Sequence, residues 1–151
     1  MENNVVPIFD IKPTEDLRNK IDQLENVMNE MKELQINIEP KHYFAKGLYA
    51  REITIPKGTT LTGKIHKFSH INIISKGEIS VLTENGVERI IAPATIVSNP
   101  GTKRVGYAHE ETVWTTFHAT DETDENKIED ALVVCSHDQL DQLEKLLLEE
   151  T

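Results

Sequence analysis

The hydrophobic period of this chain changes twice. Over residues 13 to about 35, Leu17, Ile21, Leu24, Met28 and Met31 recur at alternating spacings of four and three. That is the stripe of an amphipathic helix in heptad register. Thr14 stands at the N-cap position, and Glu15 and Asp16 fill the first turn, where the helix dipole favours acids. The stripe has two candidate partners, the chain's own β-domain and a helix of another chain.

From residue 48 to 120 the period drops to two. "LYAREITI", "TLTGKIH", "HINIIS", "EISVLTE", "VERIIA", "ATIVS", "KRVGYA" and "TVWTTFHAT" are short and rich in β-branched residues. Between them lie Pro56-Lys57-Gly58, Lys76-Gly77, Asn85-Gly86, Ala92-Pro93 and Asn99-Pro100-Gly101. Asn85-Gly86 predicts a two-residue hairpin, because both residues tolerate the positive φ of a type I′ turn. Eight or so strands with no intervening helix predict a sandwich or a barrel.

After Thr120 the helical period returns. Thr123 or Asp124 can cap "ENKIEDALVV", and Ser136 with Gln139 forms a capping-box pattern ahead of "LDQLEKLLLEE". Leu140, Leu143, Leu146 and Leu147 share one face, expected to pack on the β-domain or on a neighbouring subunit. The division is therefore an N-terminal helical arm (1–40), a β-barrel (41–120) and C-terminal helices (121–151). No internal repeat and no low-complexity linker interrupts it.

A chain of 151 residues is expected to form one domain with a real core. It has no run of 18 apolar residues, so no membrane span is expected. Its first residues, "MENNVVPIFDIKPTEDL", lack the basic, apolar and small-residue sections of a secretory signal. Cys135 is the lone cysteine, which excludes an internal disulfide and suits a reducing compartment. It is expected as a small buried hydrophobe. These features predict a soluble cytoplasmic protein. A net charge of -10 repels phosphate backbones and argues against nucleic acid as a partner. Lys57, Lys64, Lys67, Lys76, Lys103 and Arg104 keep the central block less acidic; most are expected on solvated strand edges.

The central block also carries "GKIHKFSHINIISKG" and "NPGTKR", and on these it resembles the cupin superfamily. The first cupin motif has two histidines one residue apart, a Glu four residues on and a Gly seven residues beyond. His66 matches the second histidine, His70 falls at the Glu and Gly77 at the Gly of the hairpin turn, while Lys64 takes the first histidine's place. In the second motif Pro100 and Gly101 match, and Arg104 stands at the histidine. The resemblance covers about half of the chain. It implies a mainly β fold, a cupin-like jelly-roll barrel flanked here by an N-terminal amphipathic helix and C-terminal helices. Over a longer stretch, "GLYAREITIPKGT", "PGTKRVGYA" and "TVWTTFHATDETD" look like uncharacterised cupin-like proteins of tailed bacteriophages and prophages. That implies the host cytoplasm or, as the alternative, the virion, but no established activity.

Residues two apart on a strand share a face. Lys64 pairs with His66, His70 with Asn72 and Ile74, and Trp114 with Thr116 and His118, while Phe117 takes the face opposite Trp114. In cupin geometry His66 and His70 point inward, and His118 is the third candidate from the last strand. Three imidazoles with an open position suit one divalent transition metal (Zn, Fe, Ni or Mn). A second expectation uses the cations: Lys64, Lys103 and Arg104, with His66, His70 and Asn72, line a pocket for a small anionic molecule, the guanidinium taking a carboxylate or phosphate. A third is structural, a homo-oligomer joined through its apolar helices or a component assembled with virion proteins. His42 could reach the barrel mouth from outside the strands, but a surface or capping role is expected of it, and His109 and His137 are expected outside any site. No nucleophile, base and orienting group stand in a recognisable pattern, so no catalytic residue is named.

Overall fold

The computed structural model describes residues 15–83 and 86–149. Thr14 and Asn85 therefore lie outside the described residues, as does the side chain of Leu147. The chain runs α1 (Glu15–Glu30), β1 (Lys41–Ala45), β2 (Leu48–Ile55), β3 (Thr60–Thr62), β4 (Ile65–His66), β5 (His70–Lys76), β6 (Glu78–Thr83) and β7 (Gly86–Ile91). It continues through β8 (Ala94–Ser98), β9 (Val105–Ala108), β10 (Thr112–Ala119), α2 (Ile128–Leu132), β11 (Val133–Val134) and α3 (His137–Glu149). The fold is mainly β, with helices at both ends. No helix among the described residues is long and apolar enough to cross a membrane.

All pairings are antiparallel. One sheet has the order β1-β2-β10-β5-β8 and the second β3-β9-β6-β7. A third, short ladder joins β11 to β4. These ladders are separate, so the expected barrel is an open one, two sheets facing each other. Alternation along the strands builds the core between them: Ile55, Ile74, Ile96 and Trp114 from the first sheet meet Ile79, Val81, Ile90 and Ala108 from the second. At roughly 25 cal/mol per Å² of apolar surface removed from water, this shared core is the main force holding the sheets together.

Gly77 differs from its expected role. β5 and β6 do not pair with each other; they belong to different sheets, so Gly77 turns a corner between sheets rather than a hairpin. Its φ is +97°, and a Cβ there would lie 2.3 Å from the Glu111 carbonyl oxygen. Only glycine fits both constraints.

The C-terminal region departs further from its pattern. The helix expected over "ENKIEDALVV" is reduced to five residues, because Val133 and Val134 pair with His66 and Ile65 instead. Two β-branched residues beside an open strand gain more from the ladder than from a helix. Ser136 does cap α3, its Oγ accepting from the Gln139 N–H, but the Gln139 side chain reaches back to the Cys135 N–H. Cys135 itself is exposed, not buried. "KHYFA" adds an edge strand, β1, that the strand pattern from residue 48 onward did not include.

Of the α1 stripe only Ile21 is buried, while Leu24 and Met31 remain exposed. The helix is tied to its own chain by charge. The Lys103 ammonium, almost buried, meets Glu25 Oε2 at 2.8 Å and Asp22 Oδ1 at 3.6 Å, and Arg18 meets Asp141 of α3 at 3.6 Å. Partial burial pushes the Glu25 carboxyl up, but hydrogen bonds from Lys103 and Thr62 outweigh it and leave the group below its ordinary 4.5.

Two outcomes follow from this arrangement. Gly77→Ala should lower unfolding stability by on the order of 3 kcal/mol, from positive φ and overlap together, seen as a lower urea midpoint at unchanged slope. Glu25 has a depressed folded pKa, so its contribution is complete above the unfolded value and fades as pH falls through the folded one. Glu25→Gln should therefore cost about 1–2 kcal/mol at pH 7, and denaturation curves of variant and parent should converge as the pH is taken below 4.5.

Candidate metal centre and ligand cavity

Register arranges the interior of the five-stranded sheet in layers. At the mouth, Tyr49 on β2 lies opposite His118 on β10, and His70 on β5 lies opposite Ser98 on β8. One layer deeper stand Arg51, Thr116, Asn72 and Ile96; deeper still come Ile53, Trp114, Ile74 and Ala94. The lining thus passes from imidazole through amide and guanidinium to hydrocarbon. The second sheet contributes Leu61, Gly106 and Val81, joined side by side through β3, β9 and β6. A cavity of about 380 Å³ lies between the sheets, within the range of small-molecule sites.

His66, His70 and His118 converge at the mouth layer. One nitrogen from each ring falls within 4.8 Å of the others, and the ring centroids are 4.1 to 5.0 Å apart. His66 Nδ1 and His118 Nε2 share a hydrogen bond of 3.0 Å. His70 Nδ1–H donates to the Phe68 carbonyl at 2.9 Å, which leaves the lone pair on Nε2. His70 Nε2 and His118 Nδ1 are buried and hydrogen-bond to no described protein group.

Burial keeps these rings neutral. His70 is pushed down to about 3 and His118 to about 4, each chiefly by loss of solvent. His66 is held well below the usual imidazole range, first by burial, then by the other two rings and Arg104. At neutral pH the site is therefore three lone-pair donors with no carboxylate among them. Two nitrogens bound to one ion at about 2.1 Å stand roughly 3–3.5 Å apart, a separation that the His66–His118 pair already meets.

Asn72 lies directly below and is fully buried. Its Oδ1 accepts from Trp114 Nε1 and Thr116 Oγ1, both at 3.0 Å. Its Nδ2 donates to Ser98 Oγ at 2.9 Å and to the Ile96 carbonyl at 3.4 Å. The structure thus places this expected ligand-binding residue in the scaffold, with donors and acceptor engaged by protein groups. Arg104 does line the cavity. Its guanidinium carbon lies 5.3 Å from the Trp114 ring centroid, and burial pushes the group down to about 9; an arginine remains charged there at neutral pH. Lys64 sits at the exposed rim in an ion pair with Glu129. Lys103, one residue from Arg104, points the opposite way toward α1.

The segment leading into α2 roofs the mouth. Ile128 and Leu132 pack on Tyr49; Lys67 donates to the Asp130 carbonyl. His42 belongs to the same roof: its Nδ1 lies 2.6 Å from the Tyr49 hydroxyl and its Nε2 3.4 Å from Glu125 Oε1. The strand that carries His42 could have been found from the adjacent aromatics of "KHYFA", which favour strand. The contact itself has no local signal, since Glu125 is distant in sequence. His109 bonds Ser80 and His137 bonds the Gly101 carbonyl, both away from the cavity.

With this geometry in view, comparison with known proteins gives a fold likeness only. No protein-family model and no curated protein sequence matches the chain. Among solved structures it is similar to a cupin-2 domain protein from Shewanella frigidimarina, at 10% identity and TM-score 0.47 over 63% of this chain and 93% of that one. It is likewise similar to KdgF from Halomonas sp., at 18% identity and TM-score 0.49 over 62% and 88% of the two chains. A cupin domain from Bordetella pertussis matches at 13% identity and TM-score 0.45 over 57% and 96%. These likenesses are partial, and the chemistry of the site rests on the residues of this chain.

Asn72→Leu would strand the Trp114 N–H and the Thr116 hydroxyl without their acceptor. The expected cost is about 2–4 kcal/mol, measured by chemical denaturation, with a shift in Trp114 emission in the folded state. A change under half a kcal/mol would remove Asn72 from the scaffold.

Proposed function

We propose that this protein binds one divalent transition metal through His66, His70 and His118 and holds a small anionic ligand beside it. The observation that carries the reading is the convergence of one nitrogen from each ring within 4.8 Å, His70 Nε2 among the buried atoms that hydrogen-bond to no described protein group. A buried polar atom without a partner costs about 1–3 kcal/mol, and metal coordination is one way to recover that cost. The donor set fits: three neutral imidazoles suit Zn²⁺, Fe²⁺, Ni²⁺ or Mn²⁺. Such an ion would supply Lewis acidity at positions the protein leaves open.

This chain's own residues do the rest. The Phe68 carbonyl fixes the His70 tautomer and its ring direction. Asn72 sets the height of strands β5, β8 and β10, and so of two of the three rings. The α2 roof limits access of water. Arg104 and a dication in one cavity repel each other unless an anion lies near both, which supports the second half of the reading. Lys64 offers less opposition than its place beside His66 suggests, because Glu129 neutralises it at the rim.

Titration of the metal-free chain with Co²⁺ should give one ion per chain and a visible absorption band. His70→Ala and His118→Ala should each weaken binding by about a hundredfold or more, whereas His109→Ala, outside the cavity, should leave it unchanged. Equal Co²⁺ affinity in all four proteins would overturn the reading.

A further inference from the structure

The polar groups below the triad are already spent on one another. Trp114 Nε1 and Thr116 Oγ1 both bond Asn72, whose own donors go to Ser98 and the Ile96 carbonyl. A ligand with many hydroxyls would find the amide, the indole and the threonine hydroxyl of that layer already engaged, and each unpaired hydroxyl would be penalised. Beyond it the cavity wall is hydrocarbon: Ile53, Ile55, Leu61, Ile79 and Val81. The other strongly polar groups of the lining are cationic or lone-pair donors, namely Arg104, Arg51, His66 and His118, with His70 beside them. The acids at the mouth are engaged elsewhere, Glu129 by Lys64 and Glu125 by His42. Gly106 adds to the space, since a Cβ there would press on Ile79 at 3.1 Å and Leu61 at 3.4 Å.

We propose that the cavity takes an aliphatic monocarboxylate of medium chain length, its carboxylate at Arg104 and its chain along the wall formed by Ile53, Leu61, Ile79 and Val81. One charged head and an apolar remainder match the division of the lining. An amine would face two guanidiniums, a sugar acid would bury unpaired hydroxyls, and inorganic phosphate would leave the hydrocarbon wall uncovered. The assignment rests on the reading of this cavity as a binding site, and it specifies the ligand class that reading leaves open.

Calorimetric titration of the full chain with acetate, butyrate, hexanoate and octanoate tests it. Affinity should rise about threefold to fourfold per added methylene until the wall is covered. Octanoate should exceed octanol, gluconate and phosphate, and Arg104→Met should abolish the preference for octanoate over octanol. Leu61→Gln, at a half-buried wall position, should flatten the chain-length series while keeping a cooperative unfolding transition. A flat series in the wild type, or tighter binding of gluconate or phosphate, overturns the proposal. Repeating the series on chelator-treated protein and on His70→Ala separates the two readings. A chain-length gradient that survives there supports the ligand class even if no metal binds. One Co²⁺ per chain with no gradient overturns the ligand class and leaves the metal centre standing.

Discussion

The amide of Asn72 is the constraint from which the site follows. Its oxygen holds two side chains of β10 and its nitrogen holds β8, so one buried group joins three strands from the inside. A satisfied amide in a low-dielectric interior tolerates no slip, because a one-residue shift would turn it to the outer face and orphan every partner. With that register fixed, His70 stands two residues before Asn72 and His118 two residues after Thr116. Both therefore face inward at the same height. The meeting of these two imidazoles is a consequence of where one amide must sit.

What the rings meet there is electrostatically unusual for a polar cluster. Buried histidines commonly find a carboxylate, which would hold a proton on the ring. Here the neighbours are other imidazoles and the Arg104 guanidinium, and all of these disfavour protonation. Desolvation acts in the same direction. The result is a set of unprotonated imidazoles, their lone pairs kept available by the absence of anything to pair with the protonated form, the state in which nitrogen ligates a metal.

Much of this was legible in the chain, and the exceptions have physical reasons. Period-two alternation placed β2, β5, β8 and β10 and turned His70 and His118 inward, because strand parity is a local property. The same rule does not reach Lys64: β4 is only Ile65–His66, and outside a strand parity sets no direction, so its place at the cavity rim beside Glu129 has no local signal. Gly77 was identified by its neighbours, but its corner between sheets depends on the pairing of distant strands. Asn72 read as a ligand contact because sequence gives a residue's face and not whether its hydrogen bonds are already used. Cys135 read as buried after "ALVV", yet that run leaves its helix to pair with β4, and the residue beyond it emerges at the surface. The α1 stripe promised more burial than it obtains. Only Ile21 enters the core, and Lys103 secures the helix by charge.

The distribution of charge adds a last step. With a net charge of -10, the protein repels an anion at long range, although screening limits this to about 8 Å at physiological salt. Inside, the sign reverses, since Arg51 and Arg104 line a cavity whose mouth acids are tied to Lys64 and His42. For the proposed anionic ligand, selection would therefore come not from long-range attraction but after entry, where solvent is thin and a guanidinium interacts several times more strongly than in water. A ligand that enters with one negative end and little else to hydrate loses least on crossing the mouth and gains most beneath it. On the proposed reading, the acidic exterior and cationic interior would act together as a filter against polyanions, which meet the first field before they can reach the second.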